Sequence, residues 1–130
     1  MQISHLDHLV LTVRDIPQSL DFYSRVLGMK TLVFGQGRHA LAFGQQKINL
    51  HQVGAEFEPK ATHPLPGSAD LCFIVNTPLA TVIELLHAQG VDILEGPVMR
   101  TGAQGPIRSI YLHDPDLNLI ELSNAMENAA

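Results

Sequence analysis

Residues 6–28 read LDHLVLTVRDIPQSLDFYSRVLG, and residues 68–90 read SADLCFIVNTPLATVIELLHAQG. An offset of 62 residues places His8 on Asp70, Val13 on Val75, Asp15 on Thr77 and Gly28 on Gly90. Few residues are identical, but the element boundaries repeat. In the first copy Leu9, Leu11 and Val13 alternate with His8, Val10 and Thr12, which is the period of a half-buried strand. A helix start follows: Asp15 is a good N-cap, with Pro17 in the first turn and Gln18 three residues on. In the second copy Thr77 is expected to cap, with Pro78 at the first helical position. The apolar stripes are Ile16, Leu20, Tyr23 and Leu27 in one helix, and Leu79, Val82, Ile83 and Leu86 in the other. Gly28 and Gly90 end them, since glycine takes the left-handed conformation cheaply.

Three short strand-like runs follow each helix: about 29–34, 38–43 and 47–53, then about 92–99, 107–113 and 118–123. Each half thus reads strand, helix, strand, strand, strand. The fold class is α+β, with two βαβββ modules pairing into a cupped, eight-stranded mixed sheet. The whole chain, 1–130, forms one domain. Module one spans about 4–53, a Pro- and Gly-bearing linker 54–69, and module two 70–124. Residues 124–130 are expected to fray. A half of this size buries little alone, and two paired halves leave concave faces for a ligand.

Composition narrows the function. The chain has 130 residues with eight basic and thirteen acidic side chains, a net charge of −5. No Lys/Arg cluster exists to track phosphates, so nucleic acid is not an expected partner. The apolar runs are far shorter than the ~20 residues that span a bilayer, and the start MQISHLDH is not a signal peptide. The single cysteine, Cys72, forms no internal disulfide and reads as a buried, reduced thiol of a cytoplasmic protein. Seven histidines are the unusual feature.

Alternation assigns the polar residues to faces. If Leu9, Leu11 and Val13 pack on the helix, then His8, Val10 and Thr12 face the cup. If Ile48 and Leu50 pack, then Asn49, His51 and Val53 face it, and in the last strand so do Leu119 and Glu121. The offset pairs His8 with Asp70, and the final strands are read as pairing His51 with Glu121. Repeat-related positions thus hold His8, His51 and Glu121, with Asp70 as a fourth candidate that is shorter and suited to capping its strand. All are metal-ligand types that are costly on an apolar wall unless used. Two imidazoles and one or two carboxylates suit one divalent Fe, Ni, Mn, Co or Zn ion. Thr12 and Asn49 are candidate substrate contacts on the same face.

Two motifs fail. Gly35-Gln-Gly37-Arg-His-Ala40 resembles a dinucleotide loop but precedes a strand, so it reads as a hairpin turn. Asp114-Pro-Asp116-Leu-Asn118 begins like a calcium loop but has Leu119 where that loop needs glycine. The stretch MRTGAQG, 99–105, with two glycines, is a candidate lid.

LDHLVLTV with His8, SLDFYSRVLGMK, KINLHQ with His51 and SIYLHDPDLNLIELS with Glu121 together resemble the vicinal oxygen chelate superfamily. That group includes glyoxalase I, extradiol dioxygenases, fosfomycin-resistance thiol transferases and bleomycin-resistance proteins. The closest resemblance is to small glyoxalase-domain-containing proteins. The resemblance implies paired βαβββ modules, one divalent metal and a homodimer. It implicates His8, His51, Asp70 and Glu121 as ligands, Glu121 and Asp70 as proton-handling catalytic groups, and Ser109 and Tyr111 as substrate contacts. The expected function is a metal-dependent lyase, isomerase or dioxygenase acting on a small vicinal-oxygen substrate. The alternative is a metal-free protein that sequesters a small molecule, as bleomycin-resistance proteins do. The turn normally written DPDGN in the superfamily has Leu117 in place of glycine.

Overall fold

A computed structural model describes residues 1–126. The chain divides into two compact units, the first ending at Ser68 and the second beginning at Ala69. The first contains β1 (His8–Val13), α1 (Ile16–Asp21), a π-helical turn (Phe22–Val26), β2 (Lys30–Phe34), β3 (Arg38–Phe43) and β4 (Gln46–Gln52). The second contains β5 (Asp70–Ile74), α2 (Leu79–Ala88), β6 (Glu95–Gly102), β7 (Gly105–His113) and β8 (Leu119–Ala125). The eight expected strands are present, divided into two four-stranded mixed sheets, ordered β1-β4-β3-β2 and β5-β8-β7-β6. In each sheet the first and last strands of the unit run parallel side by side, and the other pairs are antiparallel.

The apolar alternation sets the cores. In the first unit Leu11, Val13, Leu41, Ile48 and Leu50 lie buried with Tyr23; in the second Ile110, Leu112, Ile120 and Leu122 lie buried with Leu79, Val82 and Leu86. The Asp15 carboxylate accepts from the Gln18 N–H at 3.0 Å, the expected cap. The first helix does not stay α-helical to its end. The Ser24 hydroxyl donates to the Leu20 carbonyl at 2.6 Å, competing for the helix ladder where the wider turn begins. Its buried stripe is Ser19 and Tyr23, with Ile16, Leu20 and Leu27 only half-buried.

Thr77 does not cap the second helix. Pro78 is the N-cap, and the first helical N–H, on Leu79, donates 2.7 Å to the Asn124 side chain of β8. Asn124 also donates from Nδ2 to the carbonyls of Val75 and Thr77, each at 2.9 Å. Gln52 does the same in the first unit. Its Oε1 accepts from the Ile16 N–H at 3.2 Å, and its Nε2 donates to the Arg14 carbonyl at 2.6 Å. The last strand of each unit therefore clasps the start of that unit's helix.

Several expectations change here. Asn124 and Ala125 belong to β8 rather than a frayed tail; residues 127–130 lie outside the described residues. The candidate lid is the closed end of the β6–β7 hairpin, paired through Met99–Arg108, Arg100–Ile107, Thr101–Pro106 and Gly102–Gly105. Gly102 is there for closeness, not motion: a Cβ on it would meet the Gly105 carbonyl oxygen at 2.9 Å. Cys72 is exposed, because it lies on the sheet face away from the helix. The Gly35–Ala40 motif is the expected turn between β2 and β3, with Gly35 and Gly37 at positive φ.

Candidate functional site

Strand register decides which residues correspond between the units. Val10 pairs with Asn49, and Cys72 pairs with Glu121. Val10 and Cys72 follow His8 and Asp70 by two residues, so Asn49, not His51, is the counterpart of Glu121. His51 pairs with Thr12, and His8 pairs with Lys47. His8 and His51 share a face of one sheet but stand four rungs apart, ~13 Å along the strands. The structure thus does not bring these two imidazoles together as one ligand pair.

In the second unit, Glu121 is the centre of a polar ladder. The Ser109 hydroxyl donates to Glu121 Oε2 at 2.5 Å, in the range of a charge-assisted bond. Ser123 lies 2.7 Å from Ser109 and 3.4 Å from the same carboxylate oxygen. Cys72 Sγ lies 3.4 Å from Ser123. Partial burial of the sulfur, with the Glu121 charge nearby, pushes the thiol above its ordinary pKa despite the Ser123 bond. Glu121 lines a cavity of about 680 Å³ with Asp70, Leu94, Glu95, Arg100, Tyr111 and Leu119. Arg100 Nε donates to the Tyr111 hydroxyl at 2.9 Å and reaches Glu95 at 3.5 Å. Tyr111 and Asp70 are therefore placed on the cavity wall. Ser109 is fully buried and spent on Glu121, so it orients the carboxylate instead of touching a substrate.

In the first unit His8 is exposed, and its Nδ1 lies 2.8 Å from the Asp7 carboxylate. That bond holds the Asp7 carboxyl below the usual carboxylate range. An imidazole tied at Nδ1 keeps its Nε2 edge for another partner. His51 is buried, 3 % exposed, with its ring edge-on to Phe57 at 5.6 Å between centroids. Its Nε2 lies 3.4 Å from an Arg38 nitrogen. Burial first, then the Arg38 charge, lower its pKa, and Glu56 partly opposes them. Asn49 is 5 % exposed and its Oδ1 has no hydrogen-bond partner among the described residues. Thr12 is half-buried beside His51. Sequence reasoning missed Arg38, Phe34 and Phe57; the Phe57 contact comes from the linker, where no periodicity marks it.

No group of three or more His, Cys, Asp or Glu side chains close enough to hold a metal ion occurs among the described residues. No helix among the described residues is long and apolar enough to cross a membrane.

Comparison with known proteins places this arrangement. The Glyoxalase/Bleomycin resistance protein/Dioxygenase superfamily matches residues 5–122. A glyoxalase domain-containing protein of Mycosarcoma maydis, RDO1, is 57% identical over 124 residues, covering 95% of this chain and 70% of its own length. Virulence protein STM3117 of Salmonella typhimurium is 58% identical over 123 residues, covering 95% of this chain and 85% of its own. The crystal structure of STM3117 superposes with a TM-score of 0.96, covering 97% of this chain and 100% of that one. An integron cassette protein from the mobile metagenome of V. Cholerae is 63% identical with a TM-score of 0.95, over 97% and 98% of the two chains. Two βαβββ units, a His or Asp opening each first strand and a match from His5 to Leu122 lead to one assignment: the chain belongs to the glyoxalase/bleomycin resistance protein/dioxygenase superfamily.

Proposed function

We propose that the protein is a divalent-metal-dependent enzyme that acts on a small substrate with two vicinal oxygens, as a lyase, isomerase or dioxygenase. The observation that carries this reading is the Glu121 carboxylate. Ser109 and Ser123 tether one oxygen, Oε2, and the carboxylate lines the cavity. Outer-shell hydroxyls that fix one oxygen and leave the other available are what a metal-ligating carboxylate needs. His8 supports the reading in the same way, with Asp7 on Nδ1 and Nε2 left over. Asp70 lies on the same cavity wall as Glu121 and adds a second carboxylate to it. Carboxylate and imidazole donors of this kind suit Fe(II), Mn(II), Ni(II), Co(II) or Zn(II). His51 Nε2 faces the Arg38 guanidinium at 3.4 Å.

The bound ion would supply Lewis-acid stabilisation of negative charge on the substrate oxygens. The chain's residues supply the rest. Tyr111 accepts from Arg100, which leaves its own O–H to donate to a substrate oxygen in the cavity. Arg100 adds positive charge on the same wall, and Glu121 or Asp70 takes a proton when not fully engaged. The family resemblance supports a homodimer.

The test is elemental analysis of untagged protein purified without chelator, beside His8→Ala and Glu121→Gln. Near-stoichiometric metal in the wild type, lost in both variants, is expected. Absence of metal after reconstitution with each of the five ions would refute the reading and favour metal-free sequestration of a small molecule.

A further inference from the structure

The free face of the first sheet carries a cluster that the metal reading does not use. Arg38 projects from the start of β3, and its guanidinium carbon sits 4.6 Å from the Phe57 ring centroid and 5.2 Å from that of Phe34. Two rings and the His51 edge at 3.4 Å fix the guanidinium in place. Arg38 Nε is buried with no hydrogen-bond partner among the described residues. Lys47 Nζ lies 3.9 Å from the Phe34 centroid. Neither cation forms an ion pair with a carboxylate among the described residues; the acid that acts on His51 is Glu56. Two rungs from His51 on the same face, Asn49 buries an unpartnered acceptor.

These are complementary deficits. Neither cation is in a close ion pair, the Asp7 carboxylate acting on Lys47 only at longer range, and a fixed guanidinium fork matches the planar geometry of a carboxylate. Asn49 Oδ1 lacks a donor, and a buried acceptor left so costs free energy. Val10, the register partner of Asn49, is 43% exposed and gives this face an apolar neighbour. We propose that Arg38 and Lys47 receive the carboxylate of a small hydroxy acid whose hydroxyl donates to Asn49 Oδ1. This subsite goes beyond the metal reading and requires no metal to bind its ligand.

The experiment is an NMR titration of the full chain, following the Arg38 Nε–H, with three probes: glycolate, glycolamide and acetate. Glycolamide removes the charge and acetate removes the hydroxyl. Glycolate is expected to shift the resonance and to bind about tenfold or more tighter than glycolamide, the scale of a charged hydrogen bond, and several-fold tighter than acetate. Arg38→Gln is expected to abolish the preference over glycolamide; Asn49→Ala is expected to abolish only the preference over acetate. Circular dichroism confirms folding, and Arg38→Lys, which keeps the charge but loses the fork, serves if Arg38→Gln does not fold; it is expected to weaken glycolate several-fold. An unmoved Nε–H at saturating glycolate, equal binding of glycolate and glycolamide, or unchanged discrimination in folded Arg38 variants would overturn the proposal. None of these readouts depends on the outcome of the metal analysis.

Discussion

Replacing Asn124 with alanine removes three hydrogen bonds at once, and their sum can be worked out from the geometry. The Leu79 N–H loses the only side-chain acceptor described for it, at 2.7 Å, and the carbonyls of Val75 and Thr77 lose donors at 2.9 Å. Loss of a helix N-terminal acceptor costs ~0.5–2 kcal/mol. Each remaining neutral bond contributes roughly 0.5–1.5 kcal/mol, at the lower end for Thr77, which water reaches. The expected destabilisation is about 2–3 kcal/mol. With an unfolding entropy of about 2.1 cal/mol/K per residue, this lowers the melting temperature of a 130-residue chain by roughly 7–11 °C. Asn124→Asp separates the contributions. It keeps an acceptor, and its charge suits a helix N-terminus, but it turns a carboxylate toward two carbonyls. It is expected to fall between wild type and alanine. Urea denaturation followed by circular dichroism reads both variants, as a shift in midpoint at constant slope. An alanine variant within about 0.5 kcal/mol of wild type, below the low end of these contributions, or an aspartate variant as unstable as alanine, would refute the clasp.

Leu117 stands at φ 66°, and its side chain is 64% exposed, so little packing is lost on removing it. Leu117→Gly relieves ~1–2 kcal/mol of left-handed strain and returns ~0.5–1 kcal/mol to unfolded-chain entropy. A net gain of about 0.5–1 kcal/mol in urea is expected; a loss would show that the position carries no strain. His51 is depressed below 6.5 by burial and the Arg38 charge. As pH falls below 6.5 the unfolded chain takes up this proton before the folded one, so stability falls, with no contribution from His51 above that range. Chemical denaturation at pH 7 and pH 5 is expected to show this loss, and His51→Asn should flatten it; an unchanged slope in the variant would assign the effect to another group.

Much of the fold is legible because the first and last strands of each unit have one apolar face. Leu9, Leu11 and Val13, or Ile120 and Leu122, can lie on the core side in only one phase. The site is less legible for the same reason. Asn49 and His51 share a phase, so alternation puts both on the free face and cannot tell which rung meets Val10. That depends on the turns, Gly44-Gln45 in one unit and the Asp114–Asn118 loop in the other. In that loop Asp114 Oδ1 accepts the N–H groups of Asp116 and Asn118, each at 2.9 Å, and sets where β8 begins. Local signals also mislead when a remote residue does the work. Thr77 is a good cap by composition, yet Asn124 holds the helix start from 45 positions away along the chain. Cys72 has apolar neighbours in sequence, but successive strand residues point to opposite faces.

The clasp has a consequence for the chain as it is made. The start of α1 receives its partner when Gln52 has been added, 36 residues after Ile16. The first unit can be closed while the ribosome is still extending the second, in keeping with vectorial folding of units from the N-terminus. The start of α2 has to wait for Asn124, 45 residues after Leu79. A chain cut before Asn124 would therefore lose the end of β8 and, with it, the groups that hold the start of α2 in place.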